Sequence, residues 1–130
     1  MRKAGFPKEF RQVLQYVMRD GRPQEVTIKH NSKLWEESGV VYARIVNGEP
    51  VYIGTTNGKL SKRLKAHLQG IEKPRTSNAK EYKEFVEGKT VTIYAYKPEP
   101  VKILGREIFV HYGLEAALIE EFAPKFTKRK

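Results

Sequence analysis

Tyr42, Tyr52, Arg63 and His67 fall in one short stretch, GVVYARIVNGEPVYIGTTNGKLSKRLKAHL, from Gly39 to Leu68. A free phenol gives up its proton at a pH of about 10 and an imidazole at about 6.5, while a guanidinium stays charged throughout. Together such groups can hold an anion and move a proton beside it. Arg63 suits the anion, because its planar fork makes paired contacts with phosphate oxygens. His67 titrates closest to neutrality and is a candidate base.

Local structure must bring these four together. Val40 to Val46 is rich in β-branched residues, Asn47-Gly48 supplies the two positive φ angles of a tight hairpin turn, and Val51-Tyr52-Ile53 resumes the strand. Tyr42 and Tyr52 therefore belong to paired strands. Asn57-Gly58 ends the second strand, and Leu60, Leu64 and Leu68 then recur every fourth residue on one face of a helix. Arg63 and His67, also four apart, form a polar stripe beside that face, within reach of the hairpin mouth.

The order VVY, then YIG with its tyrosine ten residues on, then R-x-x-x-H on the following helix resembles the core of the GIY-YIG nuclease superfamily. Tyr42, Tyr52, Gly54, Arg63 and His67 carry the resemblance, which extends over roughly residues 39–127. Val40 occupies the glycine place of the first triplet, with Gly39 displaced by one. The resemblance implies a metal-dependent endonuclease that hydrolyses phosphodiester bonds of duplex DNA by one in-line attack of water. It casts Tyr42 as general base, in competition with His67, and Tyr52 as the group orienting water or phosphate. It also calls for a catalytic glutamate on a later helix, where Glu115 stands in GLEAALIEEFAPKF. An asparagine often follows in the family. Thr127 is there instead, an orienting residue with a hydroxyl in place of an amide.

Glu115 attracts attention by its placement too. At about 100° per residue it shares a helical face with Ile119 and Phe122, while Glu120 and Glu121 point to solvent. A carboxylate on an apolar face must pair with a cation or hold a metal. Mg²⁺, or Mn²⁺ in its stead, takes one or two carboxylates and keeps several waters, so Glu115 suffices as the protein's ligand. There is no cysteine and the three histidines are scattered, so zinc-binding spacing is missing. Phosphate-cradling glycine loops and serine nucleophile elbows are absent as well.

Charge points the same way. The 130 residues include 25 Lys and Arg against 15 Asp and Glu, a net charge of +10. A balance this basic suits contact with nucleic acid. Lys59, Lys62 and Lys65 lie on the first core helix, Lys73 and Arg75 in the loop after it, and Lys125, Lys128, Arg129 and Lys130 at the tail. Lys59, Lys62, Lys65, Arg75, Lys125 and Lys128 are the expected DNA contacts. No apolar run approaches the roughly 20 residues that span a bilayer, and MRKAGFPKEFRQV lacks the core of a secretion signal, so the cytoplasm is expected.

The length suits one domain of α/β (α+β) class, a small three-stranded, mainly antiparallel sheet flanked by helices. Residues 1–38 read as an extension. Phe6, Phe10, Val13, Leu14 and Val17 predict an amphipathic helix over about 7–19, ended by Asp20-Gly21. A short edge strand from Val26 to His30 and a linker or turn from Lys33 to Glu37 follow. The extension can cover the core, read DNA or dimerise the chain. Residues 39–130 form the catalytic domain. Ser77 or Asn78 caps a helix from Lys80 to Glu87, Thr90 to Tyr96 is the third strand, and Leu114 to Phe122 the last helix. An insertion at about 97–112, with a small hairpin in Val101–Leu104 and Glu107–Tyr112, either reads substrate or decorates a loop. Trp35 is a core or lid residue.

A compact, stand-alone enzyme of restriction type is the first expectation for this chain. A structure-specific or repair nuclease is the second, and a catalytically silent basic module that binds nucleic acid the third. One active site cuts one strand, so cutting both implies a homodimer or two successive events.

Overall fold

A computed structural model describes residues 6–29 and 33–127. Its centre is the strand β3, Val41–Val46, which pairs with β4, Glu49–Thr55, across the Asn47-Gly48 turn, both of whose residues have positive φ. The other partner of β3 is β5, Thr90–Tyr96. That much is the three-stranded sheet expected from the sequence. Two further strands, β1 (Arg11–Arg19) and β2 (Arg22–Ile28), continue it past β5, giving five strands in the order β2-β1-β5-β3-β4 with every neighbour antiparallel.

The helix expected over residues 7–19 is thus β1, and the physical reason is a pair of register shifts. Pairing of β1 with β5 slips between Gln12 and Leu14, and pairing with β2 slips between Gln15 and Val17. Each bulge breaks strict alternation, so Val13 and Leu14 are both buried although adjacent. The apolar spacing that results imitates a helical repeat. Asp20 and Gly21, at φ 55° and 72°, form the hairpin turn into β2 and do not end a helix. β2 is an edge strand as expected; His30 lies outside the described residues.

Helices cover both faces of the sheet. After a 3-10 turn at Lys33–Glu36 that buries Trp35 in the core, α1 (Leu60–Glu72) and α2 (Ser77–Val86) lay Leu60, Leu64, Ile71, Tyr82 and Val86 on one face, against Leu14, Tyr16, Tyr42 and Ile93. α1 runs four residues, to Glu72, into the stretch from Gln69 to Asn78 expected to be loop, and α2 is capped by Thr76, whose hydroxyl accepts from the Ala79 N–H at 3.0 Å, in place of Ser77 or Asn78. On the other face α3, His111–Phe122, places Leu118 and Phe122 with Phe6 and Phe10 over Val41, Ala43, Ile45 and Ile53. Burial on both faces explains why β3 reads as a nearly unbroken apolar run.

The remaining hairpin, β6 (Val101–Ile103) and β7 (Arg106–Ile108), is exposed throughout and turns at Leu104-Gly105. It is shorter than expected because α3 already begins at His111. The last described residues cover the outer edge of β4: Phe126 N–H donates to the Val51 carbonyl at 2.8 Å, and Ile53 N–H to the Thr127 hydroxyl at 2.7 Å. An edge so occupied cannot template pairing with another chain. Among the described residues no helix is long and apolar enough to cross a membrane.

Candidate active site

Strand pairing sets Tyr42 opposite Gly54 and Arg44 opposite Tyr52. The two tyrosine rings converge over Gly54, with centroids 6.0 Å apart. A Cβ on Gly54 would stand 2.9 Å from the Tyr42 hydroxyl and 2.9 Å from the Tyr52 ring, closer than real side chains approach. Glycine is required here for that approach, since φ is ordinary. Arg63 reaches in from the first turn of α1, and its Nε–H donates to the Tyr42 hydroxyl at 3.2 Å. This bond, followed by the charge of Tyr42, strengthens the hold of Arg63 on its proton. Tyr42 itself is 1% exposed.

An open cleft of about 510 Å³ lies on the outer side of this group. Tyr52, Gly54, Arg63, Glu115 and Thr127 all line it, so the structure brings four of the expected site residues to one space beside Gly54. Burial, and next the neighbouring Tyr42, raise the pKa of the Tyr52 phenol above its ordinary value, which keeps it protonated. Glu115 is half-buried on α3 as its helical face requires, and Glu120, more exposed, also borders the cleft. Thr127 spends both functions of its hydroxyl on one residue, accepting from Ile53 N–H and donating to the Ile53 carbonyl at 3.3 Å. Its role in the fold is to clamp the C-terminal segment to β4.

Tyr112 is not among the residues expected at the site, yet it lines the cleft and donates to Asn57 Oδ1 at 2.7 Å, fastening the start of α3 to the loop before α1. A tyrosine three residues before a catalytic candidate on one helix is a signal that points to it.

His67 goes elsewhere. It faces a second cavity beyond Tyr52, where its Nε2 shares a 2.7 Å hydrogen bond with the Tyr16 hydroxyl, which in turn bonds to Tyr82 at 3.1 Å. Burial first, then the charges of Arg44 and Arg63, push the imidazole pKa well below its ordinary value, so the ring is neutral. Arg44 stands in the same cavity, with its Cζ 4.0 Å from the centre of the Tyr52 ring. The sequence carries a sign of it: Arg44 is the one charged residue in a strand whose five other members are buried.

The expected DNA contacts divide between these spaces. Lys59 and Lys62 line a groove that shares Thr55 and Arg63 with the cleft, and Lys59 also pairs with Glu36 at 3.1 Å. Lys65 is exposed on α1, Arg75 lines the second cavity, and Lys125 lies over the Phe85 ring at 4.8 Å. Lys128 is outside the described residues.

As for a metal, no three His, Cys, Asp or Glu side chains gather among the described residues. The chemistry of the cleft still fits a hard divalent ion: its carboxylates, Glu115 and Glu120, are oxygen donors, and an ion that keeps its waters needs only one or two of them. Glu115 is the donor that shares the cleft with the inner group of Arg63 and Tyr52.

A family model described as "GIY-YIG catalytic domain" matches residues 38–129. Among solved structures, a mutant of bacteriophage T4 EndoII superposes with a TM-score of 0.67 at 21% identity, covering 92% of each chain. A restriction endonuclease in complex with product DNA aligns at TM-score 0.48 and 18% identity over 94% of this chain and 78% of the other. No curated protein matches the sequence.

Proposed function

The chain belongs to the GIY-YIG family, and from that premise we propose that it is a metal-dependent endonuclease hydrolysing phosphodiester bonds of duplex DNA, of restriction type. The observation that carries the reading is the meeting of Arg63, Tyr52 and Glu115 in one open cleft.

Phosphodiester hydrolysis needs an oriented water, compensation for charge growing on the phosphate, and a place for the water's proton. Arg63 sets a permanent positive charge against the phosphate oxygens, where preorganised charge acts most strongly. Tyr52, held protonated, donates a hydrogen bond to the water or the phosphate. Of the two candidate bases, Tyr42 keeps contact with the cleft's residues, its hydroxyl lying against Gly54 and Arg63. His67 lies in the other cavity, which leaves Tyr42 to take the water's proton; it does so as the phenolate, whose charge Arg63 offsets, and becomes the phenol. A Mg²⁺ or Mn²⁺ held by Glu115 would supply Lewis acidity at the phosphate and the leaving oxygen.

Net charge of +10 favours a polyanionic substrate. Lys59 and Lys62 extend positive potential away from the cleft along α1, and the exposed β6–β7 hairpin, continuous with Tyr112 and α3, offers itself to the groove of a duplex. One cleft cuts one strand, so severing both requires a second copy or a second encounter.

The test is nicking of supercoiled plasmid by the purified chain with Mg²⁺, repeated with Glu115→Ala and Tyr42→Phe. Nicking lost in both variants while DNA binding persists supports the enzyme. Metal-independent binding without any nicking by the natural chain sinks it.

A further inference from the structure

The cavity on the far side of Tyr52 measures about 360 Å³ and has no part in the hydrolysis set out above. Its chemistry is lopsided. Among the described residues three cations line it, Arg44, Lys73 and Arg75, and no carboxylate does. Arg44 presents a flat guanidinium, 4.0 Å from the Tyr52 ring centre and 5.1 Å from that of Tyr82, and its Nε is buried without a hydrogen-bond partner. Tyr82 and Phe126 meet edge to face at 5.3 Å and complete an aromatic wall. α2 begins on the same lining, with Thr76, Asn78 and Ala79, so the positive end of a helix adds to Lys73 and Arg75.

Flat π faces and positive charge on one lining are complementary to a nucleotide, whose base is planar and whose phosphate is anionic. Single-stranded nucleic acid is held in this way, by stacking on aromatic rings or guanidinium planes with cations along the backbone. An apolar ligand would leave three cations uncompensated, and a bare inorganic anion would leave the aromatic wall unused. The volume is in the range of small-ligand pockets and admits one nucleotide.

We propose that this cavity receives one nucleotide, unstacked from the strand being cut, and so contributes to the choice of cleavage site. It rests on the nuclease reading for the identity of that strand. Tyr52 borders both spaces, so a base seated behind it fixes the backbone in front of it. Because unstacking costs least at mismatches and at flexible steps, the enzyme prefers to cut beside them.

To test this, 5′-deoxymononucleotides, deoxyribose 5-phosphate and inorganic phosphate are titrated separately into the full chain without metal, and the NMR signals of Gly70, Ala79 and Tyr82 are followed. The expected result is saturable shifts with mononucleotides at concentrations at least about tenfold lower than with the other two, reflecting the worth of stacking one base. Ala79→Leu, which fills the cavity from α2, is expected to abolish those shifts. Should that variant fail to fold, Arg75→Gln, on the exposed rim, is expected to weaken them severalfold. Equal response to inorganic phosphate overturns the base-holding claim, as does no response to any of the three. Plasmid nicking by the natural chain is scored in parallel. Nicking without nucleotide binding defeats this proposal alone, and nucleotide binding without nicking defeats the hydrolytic reading alone.

Discussion

Two spaces share the ring of Tyr52 and differ in nearly everything else. Among the described residues the outer cleft mixes one guanidinium with carboxylates, whereas the inner cavity holds three cations and no acid. Arg63 and His67 leave the same helix only one turn apart, a rise of about 6 Å, yet they serve different spaces because the tyrosines stand between them. A polar stripe on a helix therefore locates groups along an axis without deciding which of them share a site. Acid–base and metal chemistry suit the side with carboxylates; recognition of an anion suits the side without.

The largest expected effect breaks the outer space alone. Glu115→Gln should slow plasmid nicking by about 100- to 1,000-fold, the usual loss when one preorganised charge is removed. Its melting temperature should hardly move, because the residue is half-buried and keeps its shape. A variant with near-natural nicking would show that the carboxylate side is not where hydrolysis happens.

Gly54→Ala disturbs the wall between the two spaces. The new methyl group has no room beside Tyr42 and Tyr52, and forced overpacking costs about 1–3 kcal/mol. Urea unfolding should register that loss, and nicking should fall with it as Arg63 and Tyr52 separate.

Thr127→Val leaves the Ile53 N–H and carbonyl without the hydroxyl that now serves both. Loss of such a partner costs about 1–2 kcal/mol, again readable by denaturant titration. Nicking measured well below the melting temperature should change little, because the hydroxyl is engaged with backbone. A large loss of activity in a fully folded Thr127→Val would instead mark the hydroxyl as an orienting group.

The smallest effect belongs to the inner space and appears with pH. His67 has a folded-state pKa well below its ordinary value, chiefly through burial, so the unfolded chain binds a proton more readily than the folded one. Its contribution to stability is complete above an ordinary pKa of about 6.5 and is lost as pH falls from there towards the depressed folded value. Stability should decline on acidification through that window, and His67→Gln should flatten the decline. An unchanged slope in the variant would place the titrating group elsewhere.

Much of the outer site is legible in the chain's local patterns. Asn47-Gly48 announces the hairpin, the leucines of α1 announce its buried face, and the apolar neighbours of Glu115 announce a carboxylate turned inward. β1 reads as a helix because two bulges break its alternation, and bulges depend on the partner strand. Asp20-Gly21 has the composition of a hairpin turn, but it invites that reading only once the segment before it is known to be a strand. Arg44 stands out in β3 only by its charge, and nothing local tells whether such a residue faces solvent or a ring.

What the amino-acid order settles by itself is the inventory of reacting groups and most of the elements bearing them, because turn chemistry and apolar periodicity act between near neighbours. The tertiary structure decides the rest: five strands where three are expected, the sealing of Tyr42, and the side of Tyr52 on which each charge falls. Those outcomes come from contacts between residues far apart in the chain, such as β1 against β5 and the C-terminal segment against β4. Their energies are set by packing across the whole core, which no window of local sequence contains.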